Sequence, residues 1–266
     1  MVRIRITADD YGLDPGVNAG IEALAAAGQV DAVSLMPHAG ALLGSWTRLQ
    51  APGVTLGAHL VFVEEAPLGQ DPELAPLLTG GRFPGSYRSL LGVLAFHPAL
   101  AEPLAREGAL QIDRLLDMGV PVAFVNSHQH VHLFPVLWRA LRPVLEARGL
   151  EVRAISRILP GPAKQVLVDA VSSISLKAWP LDRCRGVRPV GIESAGRMTA
   201  EAAARAARRA RPALARGEQV ELVVHPGFGS AALKAGYPHW GYQWQTEWDQ
   251  LASGEIRRAM NEALSE

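Results

Sequence analysis

The segment Val120-Pro121-Val122-Ala123-Phe124-Val125-Asn126-Ser127-His128-Gln129-His130-Val131-His132-Leu133-Phe134-Pro135 holds one complete repeat of the fold's logic. Its apolar start, 120–126, is short and bounded by polar residues, as a strand buried on both faces would be. Pro135 then opens a stretch of helical spacing over 135–148, at the helical position where its missing N–H leaves no bond unmade. Strand, polar linker and helix follow one another in that order. Working outward, the same unit recurs on both sides. Strands are predicted at 3–8, 31–36, 54–63, 120–126, 151–155, 187–192 and 219–224, and helices at 15–27, 89–118, 135–148, 163–178 and 199–216. Alternation of this kind implies right-handed crossovers and a parallel sheet. Seven strands favour an α/β fold closed into a distorted (β/α) barrel over an open doubly wound sheet, in a single domain spanning 1–266. The punctuation agrees: Asp14-Pro15 reads as a helix start, and Gly28, Gly149 and Gly217 read as helix ends. Two segments, 64–88 and 225–248, lack periodicity and are long enough to close over a site.

Composition narrows the classes of function. The chain has 266 residues with 26 basic and 26 acidic side chains, so no excess of positive charge recommends a nucleic acid as partner. A single cysteine, Cys184, excludes an intrachain disulfide and a cysteine-based zinc cluster. No run of apolar residues is long enough for a transmembrane helix, and Met1-Val2-Arg3-Ile4-Arg5-Ile6 reads as a strand rather than a signal peptide. A soluble cytoplasmic protein is the expectation.

The chemistry-bearing residues fall at strand ends. Asp9 and Asp10 follow the first predicted strand, His59 lies late in the third, His128, His130 and His132 follow the fourth, and His225 follows the last. In parallel α/β folds these ends share one face, where ligands bind. Neighbouring carboxylates repel, and a divalent cation relieves the repulsion. The three imidazoles alternate, which on an extended segment puts them on one face. Only one or two can reach one metal, leaving the others to bind substrate or to fix tautomers. The composite is a ligand set of Asp10, His59 and His128, suited to zinc, iron, manganese or cobalt and less to magnesium. Asp9 would take a proton from a water activated there, and His225, released by Pro226-Gly227, would give one to the departing group.

These blocks resemble a known family. Thr7-Ala8-Asp9-Asp10-Tyr11-Gly12-Leu13 with Asn18, Gly57-Ala58-His59-Leu60, Asn126-Ser127-His128-Gln129-His130-Val131-His132 and His225-Pro226-Gly227 are similar, in order and spacing, to the motifs of YdjC-like carbohydrate deacetylases. The stretch from Arg82-Phe83-Pro84 through Phe96-His97-Pro98 to Gln111 is similar to the hopanoid biosynthesis-associated subgroup. The resemblance implies a barrel related to polysaccharide deacetylases and metal-dependent removal of N-acetyl groups from an amino sugar in a glycan or glycolipid, such as a glycosylated hopanoid. By motif, Asp10, His59 and His128 would hold the divalent metal (zinc first, with magnesium, cobalt or manganese as alternatives), Asp9 would be the base and His225 the acid. Two positions depart: Val61-Phe62-Val63 stands where the family often has Asn, and Arg153-Ala154-Ile155-Ser156 lacks the proline that often follows the arginine. Arg153 is carried over as a substrate-binding or supporting residue, alongside His130 and His132. Trp240 and Tyr242, with Trp244, would line a saccharide subsite, and Trp248 would pack the last helix on the barrel. Arg197, Arg205, Arg208, Arg209, Arg211 and Arg216 form a basic run that suits peripheral contact with an anionic membrane, with Pro212 expected to kink or end its helix.

Two other readings fit part of the pattern. A non-haem iron oxygenase uses two His and one carboxylate, but has no need of the second aspartate or of His225. A non-catalytic glycan-binding protein would keep the barrel and the metal without turnover.

Overall fold

The computed structural model describes residues 4–38 and 46–266, so Met1, Val2 and Arg3 of the first predicted strand lie outside the described residues. Strands β1 (Arg5–Tyr11), β2 (Ala32–Leu35), β3 (Thr55–Leu60), β4 (Val122–Ser127), β5 (Glu151–Arg153), β6 (Gly186–Val190) and β7 (Gln219–Val224) close in sequence order into a barrel. Every pairing is parallel, including the closing one, in which Arg5 lies opposite Glu221 and Thr7 opposite Val223. Helices α1 (Pro15–Ala26), α2 (Tyr87–Phe96), α3 (Ala101–Asp117), α4 (Pro135–Ala147), α5 (Ala163–Ala178), α6 (Ala200–Ala215), α7 (Ala231–Gly236), α8 (Trp244–Ala252) and α9 (Glu255–Ser265) complete it. The predicted (β/α) barrel is the observed one. No helix among the described residues is long and apolar enough to cross a membrane.

Four local expectations are corrected. The helix predicted at 89–118 is two helices, because Pro98 disfavours helical geometry at His97 (φ −131°, ψ 63°). Pro212 does not end α6; it sits in the last turn, and the buried alanine face of that helix carries it on to Ala215. The strand predicted at 54–63 stops at Leu60, yet Val61 still bonds as if in a sheet. The Gln111 side chain accepts from its N–H and donates to its carbonyl, both at 2.8 Å, standing in for a neighbouring strand. Finally, the basic run is not a bare cationic face. Arg205 pairs with Glu201, Arg208 with Glu266, Arg209 with Glu193 and Arg216 with Glu218.

The barrel lumen is unusually polar for such a core. Alternation along β1 turns Arg5, Thr7 and Asp9 to one side. Arg5 bridges Glu151 at 2.5 Å and Glu221 at 2.9 Å, Thr7 donates to Glu221 at 2.6 Å, and Arg153 bridges Glu221 and Asp9, each at 2.5 Å. Opposite charges thus alternate along the lumen from Glu151 to Asp9. Room for this stack depends on Gly57, where a Cβ would lie 2.6 Å from the Phe124 ring, whose face in turn covers the Arg5 guanidinium at 4.8 Å.

Glu221 is the acid between two guanidiniums, and removing its charge leaves both under-compensated in a buried space. Glu221→Gln is therefore expected to lower stability by about 3–5 kcal/mol, read as a lower urea midpoint at unchanged m. A midpoint equal to the wild type's would refute the role of the lumen charges. Burial alone would raise the Glu221 carboxyl, but Arg153 and Arg5 hold it below its ordinary 4.5, so its stabilisation is complete above about pH 4.5 and lost as pH falls below that value. Loss of stability on acidification through that window should be shallower in the variant.

Candidate metal centre

Two carboxylates of one strand reach the same mouth of the barrel because of a single backbone irregularity. β1 does not end before the aspartates, as predicted, but continues through them to Tyr11. Asp9 follows the alternation into the lumen. Asp10 takes a left-handed conformation (φ 67°), and pairing with β2 shifts between Ala8 and Tyr11. That shift turns Asp10, which strict alternation would send to the outer face, toward the mouth as well.

His59 arrives from the end of β3 and His128 from just beyond β4. Asp10 Oδ1 lies 3.1 Å from His59 Nε2 and 3.2 Å from His128 Nδ1, and the two nitrogens are 3.4 Å apart. Their outer partners decide the tautomers. Asn126 directs its amide N–H at Asp9 (3.0 Å), so its oxygen faces His59 Nδ1 at 2.7 Å and must accept a proton there. His59 Nε2 is left with its lone pair. His128 Nε2 donates to Glu64 at 2.9 Å, which leaves the Nδ1 lone pair inward. Two lone pairs and a carboxylate oxygen thus face one another in a buried place.

Such an arrangement demands a positive charge. Burial alone would lower the His128 pKa, but Asp10 and Glu64 raise it to about 10, so a proton is drawn in when nothing else is there. A divalent cation satisfies the same demand. Donor separations of 3.1–3.4 Å match the edge of a tetrahedron with bonds of about 2.0–2.1 Å. Asp10 Oδ2 is buried and has no hydrogen-bond partner among the described residues, consistent with a ligand site not saturated by protein. Asp10, His59 and His128 are also the three side chains whose ligand atoms converge closely enough to share an ion. The donor set fits.

Asp9 is fixed beside this centre. It accepts from both terminal nitrogens of Arg153 (2.5 and 3.0 Å), from Ser34 (2.7 Å) and from Asn126 (3.0 Å). Burial would raise its pKa, but Arg153 and the neighbouring imidazoles hold it well below the usual carboxylate range. His225 Nε2 lies 4.0 Å from Asp10 Oδ2, and its Nδ1 is buried with no hydrogen-bond partner among the described residues. Burial pushes the His225 pKa down to about 4, so its imidazole is neutral at pH 7. Its backbone N–H donates to the buried Glu247 at 2.5 Å, which anchors the turn at Pro226-Gly227 to α8.

The three-imidazole expectation is only partly met. After Ser127 the chain is not extended but enters a tight turn (His128–Leu133) with Gln129 and His130 left-handed (φ 54° and 56°). Only His128 meets the other ligands. His130 stays half-buried, and its Nδ1 has no hydrogen-bond partner among the described residues. His132 is fully buried and turned away: its ring nitrogens bond to Ser127 Oγ at 2.6 Å and the Arg153 carbonyl at 2.8 Å, so it cannot touch a substrate. Arg153 is likewise buried, between Asp9 and Glu221, and supports rather than faces the pocket.

The two irregular segments do meet over the site. Tyr237 Oη donates to Glu65 at 2.6 Å, while His239 Nε2 (2.5 Å) and Trp240 Nε1 (2.9 Å) reach Glu64. The Trp240 ring lies 4.8 Å from that of His128 and the Tyr242 ring 4.9 Å from that of His225. Trp248 belongs to α8 rather than to the last helix, and it donates to the Gly20 carbonyl of α1 at 2.9 Å. Sequence reading missed Glu64, Ser34, Asn126, Glu221 and Glu247. For Glu64 a faint signal existed: it is the first charged residue after the apolar run that follows His59.

Comparison with known proteins places the chain among relatives. The profile of the family described as YdjC-like protein matches residues 3–262. A carbohydrate deacetylase of Vibrio campbellii is 30% identical over 158 residues, and the match spans 57% of this chain and 59% of that protein. A carbohydrate deacetylase of Mus musculus is 27% identical over 272 residues, covering 94% of this chain and 86% of the mouse protein. The crystal structure of a protein from Enterococcus faecalis V583 superposes with a TM-score of 0.73 at 19% identity. That superposition covers 98% of this chain and 94% of the other, and supports the fold.

Zinc added to metal-stripped protein should raise the thermal midpoint, by the equivalent of about 2.7 kcal/mol at a hundredfold excess over Kd. Asp10→Ala should abolish the rise. An equal rise in both proteins would show that the cation binds elsewhere.

Proposed function

The chain belongs to the YdjC-like protein family, and on that footing we propose that it is a metal-dependent hydrolase that removes the N-acetyl group from an N-acetylated amino sugar. The observation that carries the reading is the convergence of Asp10, His59 and His128 on one point. Asp9 lies 4.0 Å from His59 and His225 lies 4.0 Å from Asp10, so both border that point. The names of the Vibrio and mouse relatives support the choice of a sugar acetamide as substrate. The donor set of two nitrogens and one oxygen favours zinc, with cobalt and manganese as substitutes and magnesium as the weakest fit.

When bound, the cation supplies a water of lowered pKa and polarises the acetamide carbonyl. The rest falls to the protein. Asp9, held ionised by Arg153, accepts the proton of the attacking water. Its weak basicity suffices where the water has been made acidic, and its four hydrogen bonds fix its direction of approach. His225 delivers a proton to the departing nitrogen. Because burial keeps it neutral in the resting site, the proton it gives is the one that Asp9 took from the attacking water, so that amide and water become acid and amine. Products are acetate and the free amine. Trp240 and Tyr242, half-buried beside the two catalytic-side imidazoles, offer ring faces to the C–H surface of a sugar. His130, half-buried, is the residue that would meet a substrate hydroxyl. Glycolipids belong beside soluble glycans among the candidate substrates, and a glycosylated hopanoid is the first lipid-linked one to include.

Acetate release from N-acetylglucosamine-containing glycans and glycolipids, with zinc reconstitution and a chelator control, tests the reading. Asp9→Asn should reduce turnover by about 10²–10⁴-fold while still binding one zinc. Full activity in that variant would exclude Asp9 as the base. No acetate from any substrate by zinc-loaded wild type would refute the deacetylase assignment.

A further inference from the structure

Glu64 lies outside the ligand set and outside the motifs, yet its carboxylate is bonded to four side chains of the site. Its backbone is left-handed (φ 69°), a strained conformation for a side chain of its size. The side chain is only 6% exposed, and its two oxygens face different ways. Oε2 accepts from His128 Nε2 at 2.9 Å and from Gln129 Nε2 at 3.0 Å. Oε1 accepts from His239 Nε2 at 2.5 Å and from Trp240 Nε1 at 2.9 Å. Arg82, the nearby guanidinium, bonds instead to the Glu64 carbonyl and to the Glu65 carboxylate. Among the described residues Glu64 has no lysine or arginine on its carboxylate, whose partners are two imidazoles, a carboxamide and an indole.

We propose that Glu64 is a positioning residue, which holds His128 in the tautomer and orientation that aim Nδ1 at the point shared with Asp10 and His59, and which anchors Trp240 to that same imidazole. The inference rests on the divalent-cation reading above. A carboxylate on the outer nitrogen makes the imidazole a more basic ligand and removes the tautomer whose Nδ1 would carry a proton. It also uses one carboxylate to join the cation site to the aromatic wall, so the wall is set in place by the same residue that prepares the ligand.

The test is zinc titration of metal-stripped protein by calorimetry, with no sugar present, on wild type, Glu64→Gln, Glu64→Ala and Trp240→Phe. Both Glu64 variants should bind zinc about 10–100-fold more weakly, measured at a temperature where each metal-free variant is fully folded. The isosteric Glu64→Gln guards against simple loss of packing. Its cobalt-substituted form should show a shifted visible band, because a less basic imidazole changes the ligand field. Trp240→Phe keeps the carboxylate on His128 and should bind zinc within about threefold of wild type, as expected when only the wall contact is lost. Wild-type affinity and an unchanged cobalt spectrum in both Glu64 variants would overturn the proposal, as would an equal loss in Trp240→Phe. Since cation affinity is read without substrate, failure of the acetate assay would bear on the deacetylase reading alone. A wild type that binds no divalent cation would overturn both.

Discussion

Three electron-pair donors facing one another at 3.1–3.4 Å inside a protein are tolerable only with a positive charge between them. Much of the structure around Asp10, His59 and His128 can be understood as holding that uncomfortable arrangement in place. Asn126 and Glu64 occupy the outer nitrogens of the two imidazoles, so neither ring can turn its proton inward. The positive φ at Asp10 bends a strand that would otherwise hide the carboxylate. Backbone strain and buried hydrogen bonds are thus concentrated on one point, whose donor set fits a cation.

The lumen beneath explains why Asp9 behaves differently from its neighbour. Both aspartates are buried and adjacent, yet Asp9 faces Arg153 while Asp10 faces imidazoles. Arg153 in turn is held by Glu221, and Glu221 by Arg5. The alternating charges fix the position of the uppermost carboxylate by way of strands on opposite sides of the barrel. One aspartate is thereby committed to hydrogen bonds and the other left open for a ligand. Two chemically identical side chains acquire separate tasks from what they touch.

Above the centre, the segments 64–88 and 225–248 are tied together by Glu64 and Glu65. Aromatic rings then stand against His128 and His225. Long loops of low periodicity thus form a wall whose anchor is the residue that orients a ligand. Wall and ligand share a contact, so disturbance of one is felt by the other.

The barrel and the ligand trio were legible in the linear pattern. Buried parallel strands must be short apolar runs, and the crossovers between them must be helices; polar residues at the strands' carboxyl ends then have one place to go. Asp10, His59 and His128 could be matched on that reasoning, and the run 219–224 was placed without error. Other features depended on contacts between distant residues. Alternation put His132 beside His128, but the left-handed turn at Gln129 and His130 broke the period and sent it to Ser127 and Arg153. Glu64 looked like a loop acid until His128, His239 and Trp240 were seen on it. The sequence by itself determined which residue types gather at the barrel mouth, since periodicity and strand polarity are local properties of the chain. Only the tertiary structure decided which of them converge on one point, which brace that point and which turn away. Those roles depend on positive-φ positions and on hydrogen bonds between residues more than a hundred positions apart, as between Asn126 and Asp9, and no local pattern records them.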